Sequence, residues 1–239
     1  MRNAWIGVIF VVVFMYPGVA KPDSDRNFQT WFDITTIYDW ERWKYNGDYG
    51  LRGIVSRSEF KLMFLRPSVL FQVKPGLTLH GGIGFFRTFF DDADDTFELR
   101  PWQGLRFVWP RIGGYVITHF LRLEERMTWE TEGEKEYDFT LRARYQLGFR
   151  SPTWDVLFKN GLFLRASMEF FWNLEESLGD NFINRIRYFF GAGTHVSKTW
   201  RVELQYTLQD GRAIEDELFR DPFDSEEHIL RLRLFYTFN

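Results

Sequence analysis

Several stretches of this chain alternate apolar and polar residues with a period of two. In "EEHILRLRLFYTFN", Leu230, Leu232, Leu234, Tyr236 and Phe238 fall on one side, and Arg231, Arg233, Phe235 and Thr237 on the other. "TWRVELQYTL" sets Trp200, Val202, Leu204, Tyr206 and Leu208 against Arg201, Glu203, Gln205 and Thr207. "DFTLRARYQLGF" sets Phe139, Leu141, Ala143, Tyr145, Leu147 and Phe149 against Thr140, Arg142, Arg144 and Gln146. "LFLRASMEFFW" and "YVITHFLRLEERM" repeat the scheme, with Arg165, Ser167 and Glu169, then Thr118, Arg122, Glu124 and Arg126, on the polar side. Such a period describes strands, because successive side chains on an extended backbone point to opposite faces.

Residues 77–89, 97–109 and 182–196 fit more loosely, with His80, Gly82 and Gly84, then Glu98, Arg100 and Arg106, then Arg185 and Arg187, on the polar face. The expected strands from Leu77 onward are therefore 77–89, 97–109, 115–127, 137–149, 162–173, 182–196, 199–209 and 226–238. Residues 28–74 hold two long strands or four shorter ones, with Pro67 marking a bulge or a strand end. The connections "KPG" (74–76), "PRIGG" (110–114) and "SKT" (197–199) are short. They alternate with long acidic ones: "DDADD" (91–95), "ETEGEKE" (130–136), "EESLGD" (175–180) and "DGRAIEDELFRDPFDSEE" (210–227). Only "SPTWDVLFKN" (151–160) is long where a short turn is expected. This is the rhythm of an antiparallel up-and-down meander.

A soluble sheet also alternates, but its strands usually run to about 5–6 residues. These run longer, enough for the roughly 9–11 residues that a tilted membrane strand needs. Aromatic residues make up 20% of the chain, with 27 Phe, and they cluster near the ends of the apolar faces, as at a membrane interface. An open sheet edge has no place in lipid, so the sheet is expected to close. The fold class is then all-β, a transmembrane antiparallel barrel of about 10 strands, with 12 as the alternative; an even count follows if both termini lie on one side. The first residues, "MRNAWIGVIFVVVFMYPGVA", combine an early cation, a short apolar run and small residues before Lys21. They read as a cleaved signal peptide over 1–20, leaving one barrel domain over 21–239. The chain has no Cys, so neither a lipid-anchoring cysteine nor a disulfide enters the argument. The expected location is the outer membrane of a Gram-negative cell.

The segments "FLRPSVLFQVKPGLTLHGGIG", "ELRPWQGL", "LRLEERM", "LRARYQL" and "NRIRYFFGAGTHVS", in that order, resemble a bacterial outer-membrane family catalogued as domain of unknown function 2490. The resemblance implies an outer-membrane β-barrel and implies no activity. The ending on Phe238 and then Asn239 departs from the terminal aromatic of many such barrels.

The polar faces place Arg100, Arg106, Arg122, Arg126, Arg142, Arg144, Arg165, Arg185, Arg187, Arg201, Arg231 and Arg233 inward, with Glu98, Glu124, Glu169 and Glu203. Unpaired guanidinium groups in a dry interior are very costly. Either water and small anions enter, giving a narrow anion-favouring channel, or each glutamate bridges several arginines and plugs the barrel. The small strand number favours the plug. An enzyme is the alternative: "THVS" puts His195 and Ser197 on one strand face, a pair resembling that of a lipid A deacylase-like hydrolase from another barrel family, although its carboxylate is replaced near that spacing by Gln209. A third reading is a surface binder acting through the acidic loops. No metal site or cofactor is expected, since "DDADD" lacks the spaced ligands of a calcium loop. The expected partners are outer-membrane lipid and lipopolysaccharide, the barrel assembly machinery and small anions, and no nucleic acid.

Overall fold

The computed structural model describes residues 27–54, 59–91, 93–131, 137–155, 160–174, 185–211 and 227–238. The expected signal peptide (1–20) and most of the acidic stretches 132–136, 175–184 and 212–226 lie outside the described residues. Eleven strands close into one barrel. They are β1 (Asn27–Trp40), β2 (Trp43–Ile54), β3 (Glu59–Lys74), β4 (Leu77–Thr88), β5 (Thr96–Val108), β6 (Val116–Glu130), β7 (Tyr137–Arg150), β8 (Leu162–Asn173), β9 (Arg185–His195), β10 (Trp200–Gly211) and β11 (Glu227–Thr237). Each strand pairs with its sequence neighbours in antiparallel fashion. The closing pair differs: β1 runs parallel to β11, from Asn27↔Glu227 to Ile37↔Thr237.

All eight strands expected from Leu77 onward are present, with ends shifted by at most three residues. The count is eleven where ten or twelve was expected, and the difference lies in residues 28–74, which form three strands. A two-residue hairpin at Glu41 and Arg42 separates β1 from β2, with Trp40 paired to Trp43. Glu41 takes φ 51°, the left-handed region that Gly or Asn normally occupies, so "DWERWK" carries no turn signal. Arg42 fixes the hairpin by donating to the carbonyls of Gln72 and Val73 at 2.9 and 2.6 Å. The turn after β3 follows the usual rule, with Gly76 at φ 80°. Pro67 sits inside β3, and the β3–β4 pairing passes from Leu65↔Phe85 to Ser68↔Gly82 around it. Pro101 in β5 leaves a similar gap, from Leu99↔Met127 to Trp102↔Glu124. A proline has no N–H for the ladder.

The two faces of the wall differ in kind. Every strand presents a large apolar side chain outward, from Phe32 on β1 and Leu51 on β2 to Leu204 on β10 and Leu230 on β11. Leu121 and Leu204, in the middle of the wall, are each 52% exposed. Aromatics gather toward both ends. Tyr38, Trp40, Trp43 and Phe71 form one chain of ring contacts at the short-turn end, and Trp200, Tyr236 and Phe238 another. Phe97, Trp129 and Tyr137 do the same at the opposite end. The interior instead buries Gln29, Asp33, Glu124, Glu203, Gln205, Gln209 and Glu227, alongside rings such as Trp31, Phe163, Phe171 and Phe235 and a small apolar cluster of Leu62, Phe64 and Phe86.

Candidate functional site: the arginine-lined lumen

Alternation on β5 to β11 turns one residue in two toward the barrel axis, and the inward set is organised around buried carboxylates. Glu98 accepts from Arg100 at 2.5 and 2.8 Å and from Arg126 at 2.9 and 3.0 Å. Glu124 holds Arg142 at 2.6 Å, Arg144 at 2.7 Å and Arg122 at 3.0 Å. Arg144 continues to Glu169 at 2.5 Å, which Arg187 approaches at 3.6 Å. Glu203 takes Arg165 at 3.0 Å and Arg201 at 3.1 Å. Asp33 pairs with Arg231 and, at 3.6 Å, with Arg233. Asp48 accepts from Arg66 at 2.6 Å and from the Thr35 hydroxyl at 2.6 Å. One carboxylate thus serves two or three guanidinium groups, which the planar fork of arginine permits.

Aromatic rings supply a second support. The guanidinium carbon of Arg52 lies 3.9 Å from the centroid of Trp31, that of Arg100 4.0 Å from Phe86, that of Arg201 3.8 Å from Phe235 and that of Arg150 4.1 Å from Phe163. These are cation–π distances. Two glycines make the packing possible: a Cβ on Gly50 would lie 2.4 Å from Asp33 Oδ1, and one on Gly193 2.4 Å from Phe163.

The network does not fill the barrel. A cavity of about 660 Å³ runs along the axis, touching Asp138, Thr140, Arg142, Arg144, Gln146, Gly148 and Arg150 in turn along β7. Fourteen arginines and five carboxylates line it. Arg106 and Arg185, expected inward, are among them. The β10–β11–β1 side is packed more tightly, with Gln209 donating to Glu227 at 2.6 Å and Gln205 to Glu203 at 2.9 Å.

Sequence reasoning did not reach Asp33, Asp48, Arg52 and Arg66, because the register of residues 28–74 was unclear; the alternation of Trp31, Asp33 and Thr35 was the available signal. It also missed Asp138, Arg150 and Glu227, which stand at or next to strand ends. His195 and Ser197 are not joined by a hydrogen bond. Ser197 Oγ instead accepts the backbone N–H of Thr199 at 3.2 Å and of Trp200 at 3.0 Å, closing the β9–β10 turn. His195 packs beside Phe163, with ring centroids 6.2 Å apart. No group of metal-ligating side chains occurs among the described residues. Of the acidic connection before β5, Asp95 accepts from Arg87 at 3.2 Å and from the Phe90 N–H at 3.3 Å, and Asp91 pairs with the buried Lys61.

A family model for a protein of unknown function, DUF2490, matches residues 28–218. The chain belongs to the DUF2490 family. The match spans β1 to β10 and so includes most of the carboxylate hubs. No curated protein matches the sequence. Membership fixes the family and assigns no reaction, so what this DUF2490 barrel does has to be argued from its wall and its lumen.

Proposed function

We propose that this barrel resides in the outer membrane and that its lumen passes small anions in preference to cations. The two-sidedness of the wall carries the reading. Outward leucines and phenylalanines on all eleven strands, with aromatics toward both rims, suit hydrocarbon between two interfaces. Inward guanidinium groups suit water and anions. Under this reading the outer surface meets lipid and lipopolysaccharide, and the barrel assembly machinery inserts the chain. The carboxylate hubs hold the arginines in place, and the axial cavity leaves a path between them. The arginine surplus over carboxylates along that path sets the sign of the ion it favours.

Planar-bilayer recording of the refolded chain under a potassium chloride gradient tests this. The expected result is a small conductance whose reversal potential reports chloride over potassium. A silent bilayer would leave a structural barrel, and a cation-selective current would remove the reading.

A further inference from the structure

The charges along the cavity are not evenly mixed. Among its five lining carboxylates, Glu98, Asp138 and Glu227 stand at the strand ends beside the long connections, and Asp48 and Glu169 stand deeper in β2 and β8. The short-turn end is different. Arg106, two residues before the end of β5, Arg150, the last residue of β7, and Arg165, three residues into β8, all line the cavity there. Arg201, one residue into β10, lies behind them and shares Glu203 with Arg165.

The pairing at this rim is unfavourable as it stands. Arg150 and Arg165 are direct cross-strand partners, and like charges directly opposite each other destabilise a sheet. Higher up, the equivalent pair Arg122↔Arg144 has Glu124 within 3.0 Å of both. Among the described residues Arg150 has no ion-pair contact; it has the Thr153 hydroxyl at 3.4 Å and the face of Phe163, with Glu203 acting on it at longer range. Arg106 makes no hydrogen bond and no ion pair among the described residues, and Arg165 is a like charge close enough to repel it. Four guanidinium groups therefore stand at this end, of which only Arg165 and Arg201 pair with Glu203 among the described residues, and three of them line a cavity large enough for a small solute.

From this we infer that the short-turn rim of the lumen is a binding site for a soluble phosphate-type oxyanion carrying two or more negative charges. The inference rests on the reading of the lumen as accessible to anions and names the class that it holds. Several arginine forks around one cavity match the several oxygens of a phosphate group. A monovalent ion would leave most of the rim's charge uncompensated. The site faces the axis and not the apolar outer wall, so it takes an anion from water and not a lipid headgroup.

Titration calorimetry of inorganic pyrophosphate into the full chain, refolded in a phosphate-free neutral detergent, tests the site without requiring conduction. Saturable one-to-one binding is expected. Arg106→Gln and Arg150→Gln should each weaken it by roughly tenfold, the scale of a lost hydrogen bond to a charged group. Arg106 has no hydrogen-bonding or ion-pair partner to lose among the described residues, so its variant keeps the fold. Lys74→Gln removes one charge from the same end of the barrel without lining the cavity, and should leave binding unchanged. Absence of saturable binding, or an equal loss with Lys74→Gln, overturns the site. Chloride-selective current without pyrophosphate binding would leave the channel and remove the site; binding without current would do the reverse.

Discussion

Glu124 gathers three guanidinium groups within 3.0 Å while its side chain is 1% exposed. A lone buried carboxylate would be costly, and so would the three arginines without it; together they neutralise much of each other's field. Removing one member of such a cluster leaves uncompensated charge. Glu124→Gln should therefore lower stability by about 3–5 kcal/mol, read from urea unfolding in detergent. The Asp39–Lys44 pair, at 3.0 Å with both side chains about half exposed, offers the contrast: Asp39→Ala should cost less than about 1 kcal/mol. Equal losses would mean that the lumen is too wet for its hubs to matter. The four glutamates were legible in the sequence because each stands on the polar face of a period-two segment, Glu98 on one that fits more loosely. Asp33 and Asp48 were not, because a shift of one residue exchanges the two faces and residues 28–74 offer several registers. Nor did alternation say that Arg106 would be left without a carboxylate. Which arginine meets which glutamate depends on cross-strand pairing, and that is set by the turns.

At the scale of elements, the hairpin between β1 and β2 decides the strand count. Its turn residues are Glu41 and Arg42, neither of which prefers the left-handed region, and the flanking Trp40 and Trp43 stack with ring centroids 6.4 Å apart. Aromatic packing and the Arg42 bonds to β3 hold a turn that local propensity does not favour, so the sequence left residues 28–74 as two long strands or four shorter ones. Glu41→Gly should relieve the backbone strain and raise stability by about 1 kcal/mol, measured as a shift of the urea midpoint. A loss instead would show that Glu41 makes a contact worth more than its strain. The β7–β8 connection was the other irregularity in the sequence. Trp154 and Leu162 pair as an isolated bridge there, and Ser151 Oγ accepts the Leu164 N–H at 2.9 Å, continuing the sheet past the strand ends.

For the whole molecule, an odd number of strands closed by a parallel pair sends the start of β1 and the end of β11 to opposite rims. Asn27 lies beside Glu227, at the end of the long connections, and Phe238 lies at the short-turn end, its N–H donating to the Ile37 carbonyl at 2.9 Å. If the short turns face the periplasm, as in bacterial barrels, Asn27 faces outward. The chain has no native Cys, so single cysteines report cleanly. Asn27→Cys should react with a membrane-impermeant maleimide in intact cells, and Thr237→Cys only after the outer membrane is permeabilised. Labelling of both from the same side would contradict the parallel closure. The even-count rule failed because it presumes a common side for both termini, which strand periodicity cannot test.

The same closure constrains biogenesis. The hydrogen-bonding partners of β1 on one flank are the last strand to emerge, so that flank stays open while nearly the entire polypeptide is made. Every other seam zips with its immediate sequence neighbour; this one cannot form until the C-terminal strand arrives, and an unpaired β-edge exposed for that long invites mispairing with other chains. Such a wiring makes the β1–β11 seam the last to seal, and until then β1 is the edge most open to a wrong partner.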